Sequence, residues 1–245
     1  MTARLSTRNA QRSRSRLTSP ASVLALGAGA AVGAYLATAG LAWAHFGRVT
    51  STAGTADCDD LLDRFIPQPD VAERHHIQVN APAAVTLEAA RAIDISSSGL
   101  ARAIFKGREW VMQSHAGRRE PSRGFVADMQ ALGWGVLAEV PDRELVMGGV
   151  TRPWEANPVF RALPPEQFES FAEPGYVKIA FTLRADPLDD GHAVFRTETR
   201  AQATDAAARE KFRTYWAFLS PGIVLIRWSM LRPVKRSAER AFKAG

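Results

Sequence analysis

Residues 176–219, YVKIAFTLRADPLDDGHAVFRTETRAQATDAAAREKFRTYWAFL, decide the fold. Tyr176–Arg184 alternates: Val177, Ile179, Phe181 and Leu183 fall on one side, and Lys178, Thr182 and Arg184 on the other. That period of two marks a strand. Asp186-Pro187-Leu188-Asp189-Asp190-Gly191 is a run of turn formers. A second strand, His192–Gln202, sets Ala193, Phe195, Thr197, Thr199 and Ala201 on one face and Arg196, Glu198, Arg200 and Gln202 on the other. One face of the hairpin is thus apolar with hydroxyls. The other is charged and is expected to meet solvent as a ladder of cross-strand charges. The competing reading makes Glu198 and Arg200 a buried polar constellation, should a bulge reverse the faces. Thr204-Asp205 then opens a long amphipathic helix. Phe212, Tyr215, Trp216 and Leu219 recur at i, i+3, i+4 and i+7, an aromatic stripe to lay against the sheet. Ser220-Pro221-Gly222 is expected to kink or restart this helix. Ile223–Met230 continues it, and Arg232, Lys235, Arg236, Arg240 and Lys243 suit a helix C-terminus.

Outward from this core the pattern stays mixed. Arg74–Asn80 alternates, with His75, Ile77 and Val79 on one face, and reads as a strand. Ala83–Ile93 is helical in composition, and Ser96–Ser98 is placed to cap a second helix, Gly99–Phe105. Ser114–Gly124 is polar and basic, hence an exposed loop. Phe125–Leu132 reads as a short helix. Gly133–Glu139 and Glu144–Thr151 read as strands around Pro141-Asp142-Arg143. Arg152–Pro174 carries five prolines together with Trp154, Phe160, Phe168 and Phe171. A loop so long and aromatic packs across something or acts as a lid.

The net charge of the 245-residue chain is +6. Five arginines and no acid lie in residues 1–19, and the segment from Asp205 onward is also strongly basic. The body between them is mildly acidic, which argues against a general nucleic-acid binder. The single cysteine, Cys58, rules out an intramolecular disulfide.

Residues 21–44, ASVLALGAGAAVGAYLATAGLAWA, are uncharged and long enough as a helix to cross a hydrocarbon core. With the basic flank before them, they predict a signal anchor with a cytoplasmic N-terminus and an extracytoplasmic main domain, in the cell membrane. Cleavage after Ala44, at Ala42-Trp43-Ala44, is the rival reading. Signal cores are shorter than this, so the retained anchor is preferred. Gly29 and Gly33 give a small-residue face through which two such helices can pair into a homodimer. The expected organisation is a basic tail (1–19), a transmembrane helix (20–45), a linker (46–70) whose Gly47–Ala56 portion is flexible, and a folded domain (71–245). Asp59–Ile66 reads as a short helix within the linker.

The order of strand, two short helices, strand meander and long C-terminal helix is that of the helix-grip fold. The stretches Gly133–Glu139, Arg143–Gly148, Thr197–Arg200 and Ala208-Arg209, with Phe212 and Tyr215-Trp216, resemble the START-related SRPBCC superfamily, also called polyketide cyclase/dehydrase-like, over residues 71–243. The resemblance implies an α+β domain in which a curved antiparallel sheet wraps a long C-terminal helix and encloses an apolar pocket. It leaves the function open among lipid carriers, hormone binders, cyclases, hydratases and chaperone cofactors.

No catalytic motif accompanies that fold. The five histidines show no ligand-like spacing, no G-x-S-x-G frames a serine, and no phosphate loop occurs. No cofactor and no metal is expected. The expected ligand is a hydrophobic small molecule or lipid, contacted by Phe181, Phe195, Thr197, Thr199, Phe212, Tyr215 and Trp216. A cyclase- or hydratase-type enzyme using Glu198, Arg200 or Tyr215 is one alternative, and an interaction module with a filled core is the other.

Overall fold

The computed structural model describes residues 20–48, 59–94 and 122–245, except the side chains of residues 20–28 and 31. The expected helix Gly99–Phe105 with its cap, the basic tail, Cys58 and most of the loop 114–124 lie outside that range. Residues 38–245 form one compact unit, and residues 1–37 another.

In chain order the elements are α1 (Pro20–His45), α2 (Asp60–Phe65), β1 (Val71–Val79), α3 (Ala83–Ala92), α4 (Phe125–Ala131), β2 (Gly135–Val140), β3 (Glu144–Thr151), α5 (Pro165–Glu169), β4 (Val177–Asp189), β5 (His192–Ala203) and α6 (Ala206–Ala244). The strands form one antiparallel sheet in the order β1-β5-β4-β3-β2. The chain's longest hairpin is therefore central, and its strands are paired on both sides. The turn is tighter than its composition suggests. Asp189 pairs with His192, leaving Asp190-Gly191 as a two-residue connection, while Pro187 sits in β4 beside a register irregularity.

Helix α6 starts at Asp205, whose carboxylate accepts from Ala208 N at 2.9 Å. It then runs 39 residues without interruption through Pro221 and Pro233. The expected restart at Ser220-Pro221-Gly222 does not occur. A proline inside a helix costs about 3 kcal/mol. Each large side chain the helix buries offsets roughly 1.5–3 kcal/mol, and Phe212 and Trp216 before Pro221, with Met230, Leu231 and Val234 after it, are all buried.

Both faces of the sheet are covered. On the face shared by Val79, Leu145, Met147, Phe181, Leu183 and Phe195, the C-terminal half of α6 and α3 close one cluster through Leu87, Ala90, Met230, Leu231 and Val234. The N-terminal half of α6 closes a second, where Phe212 and Trp216 meet Val71, Val177, Ala201 and Phe46. On the opposite face, Leu62, Phe65 and Ile66 from α2 and its C-cap, with Phe168 from α5, seal Val146, Val150 and Ala180.

This last cover overturns the expectation that the charged face meets water. Glu198 is 5% exposed and Arg200 3%. The alternation itself holds, since both still lie opposite Phe195 and Thr197. Alternation says which residues share a face, while the cover over that face comes from distant segments. The Arg152–Pro174 segment packs rather than hangs free: Phe168 is fully buried and Phe160 stacks on Trp134 at 4.6 Å. The stretch just after α1 is also held. Phe46 meets Phe212 edge-on at 5.6 Å, and Gly47 N donates to Asp70 O at 2.7 Å.

Residues 21–44 fall within α1, so the helix expected there is present. Among the described residues no helix is long and apolar enough to cross a membrane.

Candidate functional site

The site follows from strand register. On the inner face, β1 presents Val71, Glu73, His75, Ile77 and Val79 opposite Ala201, Thr199, Thr197, Phe195 and Ala193 of β5. The ends of this row are apolar and belong to the two inner clusters. The middle is polar: Glu73 pairs directly with Thr199, and His75 with Thr197. The facing stripe of α6 runs Phe212, Trp216, Ser220, Ile223, Arg227, Met230 and Val234, in steps of three and four, with Leu231 beside it. Arg227 is the charged member of that stripe, and it faces the polar middle of the strands.

Its guanidinium lies over the Phe181 ring, with Cζ 5.1 Å from the centroid, and Nη1 donates to Thr197 Oγ1 at 3.3 Å. Among the described residues no carboxylate lies within ion-pair distance of it. Arg227 sits deep in the protein, yet some of its surface stays accessible, as does that of Glu73, His75, Ile77, Ile179 and Thr199. Two polar atoms of this belt, His75 Nε2 and Thr199 Oγ1, are buried without a hydrogen-bond partner. Such orphans cost roughly 1–3 kcal/mol each and are rare in folded proteins.

The electrostatics follow from burial. Burial pushes the Glu73 carboxyl up, against the pull of Arg227. Burial pushes the His75 imidazole down, helped by the charges of Arg227 and His76, so the ring is neutral near pH 7. Burial also brings Arg227 down to about 10, with Glu73 pulling the other way, and it stays protonated in neutral solution. The belt therefore offers one fork-shaped cation, one neutral imidazole and one free hydroxyl within apolar walls.

The expected contact residues divide around this belt. Phe181 and Phe195 belong to the cluster on one side of it, Phe212 and Trp216 to the cluster on the other, with Tyr215 stacked on Phe212 at 6.2 Å. Thr197 and Thr199 lie in the belt itself. Glu73 and Arg227 escaped sequence reasoning. Glu73 precedes the expected start of β1, and Arg227 reads as an ordinary helix cation until its position on the buried stripe is counted.

Glu198 and Arg200 are elsewhere, on the opposite face beneath α2. Arg200 Nε donates to Glu198 Oε1 at 2.7 Å, Arg74 pairs with Glu198 Oε2 at 2.8 Å, and Arg200 also reaches Asp63 and Ile66 O. This network is closed by α2, so the enzyme reading built on Glu198 and Arg200 loses its pocket. A separate groove of ≈ 440 Å³ lies between α3 and the end of α6, lined by Ala84, Val85, Ala89, Ala92 and Ala241 among others. It is open and almost wholly apolar, and none of the polar belt reaches it. Among the described residues no group of three or more His, Cys, Asp or Glu side chains is placed to hold a metal ion.

A sheet with its long hairpin at the centre, gripped along one face by a long C-terminal helix, fits the helix-grip class of α+β domain. No family model matches the sequence, and no curated protein matches it. Among solved structures, a hypothetical protein from Helicobacter pylori is similar with a TM-score of 0.37 and 9% identity, over 78% of this chain and 99% of that one. The Zhui aromatase/cyclase from Streptomyces sp. R1128 gives a TM-score of 0.22 and 15% identity, over 71% of this chain and 98% of its own.

Proposed function

We propose that this chain is a SRPBCC-type helix-grip domain that binds a hydrophobic small molecule or lipid between the inner face of its sheet and α6. The observation that carries this reading is the belt of deep but still accessible residues between α6 and the β1–β5 pair, which we read as a cleft. Apolar clusters flank it on both sides, and two of its buried polar atoms lack partners that a bound molecule can supply. The test is native mass spectrometry with lipid extraction on the full chain, purified from a native-like host. A defined co-purifying apolar molecule supports the reading. A clean apo mass with no uptake of apolar dyes sinks it and favours an interaction module.

The proposal includes a membrane tether through residues 21–44, with the N-terminus cytoplasmic and the main domain outside. Its support is the uncharged sequence and its basic flank. Exposed apolar side chains on α1 add to it, with Val32, Leu36 and Leu41 all more than half exposed.

A second reading, acid–base catalysis in the cleft, is favoured by one observation: a carboxyl pushed up and a neutral imidazole flank the same buried guanidinium. It moves the chemistry from Glu198 to Glu73 and His75.

A further inference from the structure

We propose that the polar belt is a head-group site, and that the ligand is an amphiphile carrying one carboxylate-type anion on an apolar body. This rests on the cleft-binding reading and specifies its chemistry. Arg227 is the centre of the site. A guanidinium presents a planar fork that matches a carboxylate with two parallel N–H donors. Among the described residues only Nη1 donates, in a long bond to a hydroxyl. Glu73 pulls on the guanidinium, but no described carboxylate is within ion-pair distance, and an enclosed cation without a close partner is costly. An arriving anion supplies a close one.

The two orphaned atoms complete the set. Thr199 Oγ1 donates its hydroxyl proton, and neutral His75 donates from Nε2 in the Nε2–H tautomer. Both project from neighbouring strands on the face that Arg227 meets. Three donor groups thus lie on the facing surfaces of β1, β5 and α6. Glu73 sets the charge limit. It faces the same belt, so a dianion such as a phosphate monoester meets a like charge that a monoanion meets only once. The apolar body of the ligand lies along Ile77, Ile179 and Ile223, the partly accessible apolar residues beside the belt.

The test compares matched probes on the full chain in a bulky sterol-based detergent: decanoate against 1-decanol, and 2-naphthoate against 2-naphthol, read by tryptophan fluorescence at pH 7.5. The acid of at least one pair is expected to bind about ten- to a hundredfold more tightly than its neutral partner, the range for hydrogen bonds to a charged group. Arg227→Gln is expected to abolish that preference by weakening the acid far more than its neutral partner. Thr199→Val, a milder change, is expected to lower the preference several-fold, and it carries the test if Arg227→Gln fails to fold. Equal affinity for acid and neutral members in the unmutated protein overturns the head-group site and leaves the cleft reading standing. Failure of both members of both pairs to bind overturns the cleft reading as well.

Discussion

Asp59 and Glu144 face each other beneath α2, and the pair behaves as a proton trap. Glu144 accepts from Thr182 Oγ1 at 2.9 Å, and Asp59 accepts from Leu62 N at 2.9 Å as the N-cap of α2. Asp59 Oδ2 has no donor unless Glu144 is protonated. Burial and then the Asp59 charge push Glu144 up to about 7, and burial raises Asp59 too, although Arg184 pulls both down. A carboxyl raised by folding makes the folded state bind the proton more tightly. Its contribution to stability is complete below its ordinary value near 4.5 and is lost as pH rises to about 7. Within that window the loss reaches about 1.4 kcal/mol per pH unit for one group. Urea denaturation at pH 5 and pH 8 is expected to show this slope in the parent and a flatter one in Glu144→Gln. Equal slopes would exclude the pair as its source. Arg200 makes a complementary case. Arg200→Met removes one of the two cations held by buried Glu198 and is expected to cost about 1.5–3 kcal/mol, with Glu198→Leu added on top costing less than the sum of the two single changes. Equilibrium unfolding of the two single variants and the double variant measures that coupling.

At the scale of elements, short segments hold the sheet's shape. Gly133 follows α4 with a φ of 93°, and a Cβ there would collide with the carbonyl oxygen of Phe160. The chain thus passes from α4 into β2 against a backbone that leaves room for glycine alone. Gly133→Ala combines left-handed strain with a backbone clash, so a loss above about 2 kcal/mol is expected. A thermal midpoint unchanged from the parent would refute that account. Helix α2 is only six residues long, too short to be stable alone. It persists because Leu62 and Phe65 are fully buried against the sheet. Phe65→Ala is expected to cost about 3–5 kcal/mol and, because α2 is the cover, to raise hydrogen exchange in β4 and β5 across Lys178–Arg184 and Arg196–Arg200. Protection there as in the parent would show that α2 is not the seal.

At the scale of the whole molecule, the compact unit of residues 38–245 carries the polar belt, and the end of α1 is part of that unit. Arg213 donates to Trp43 O at 3.0 and 3.2 Å and stacks on the Trp43 ring at 4.3 Å. The end of α1 is thus fixed directly to the early part of α6. If residues 21–44 are a retained anchor, the full chain resists alkaline carbonate extraction, and a reporter fused at the C-terminus reports the outer side. Release into the carbonate supernatant removes the tether from the proposal. The Gly29 and Gly33 face of α1 has open space around each added Cβ, so Gly29→Leu and Gly33→Leu are expected to leave the fold of the chain itself unchanged.

Strand alternation, turn composition and helix periodicity were legible in the sequence, because each depends on local backbone geometry. They gave the antiparallel hairpin, the long C-terminal helix and the two residue sets of β5 correctly. They could not give what lies over each face. The burial of Glu198 and Arg200 depends on α2 and α5, which arrive from far along the chain. The continuity of α6 through Pro221 depends on burial summed along its whole length, whereas the proline rule weighs one residue. The polar belt needed both register and helix phase. Glu73, His75, Thr197, Thr199 and Arg227 lie on three elements, and only packing α6 onto the β1–β5 pair makes them neighbours. The sequence by itself determined which side chains share a face. The tertiary structure alone decided which faces meet, because that is settled by the total apolar area buried between distant segments, a quantity no local window contains.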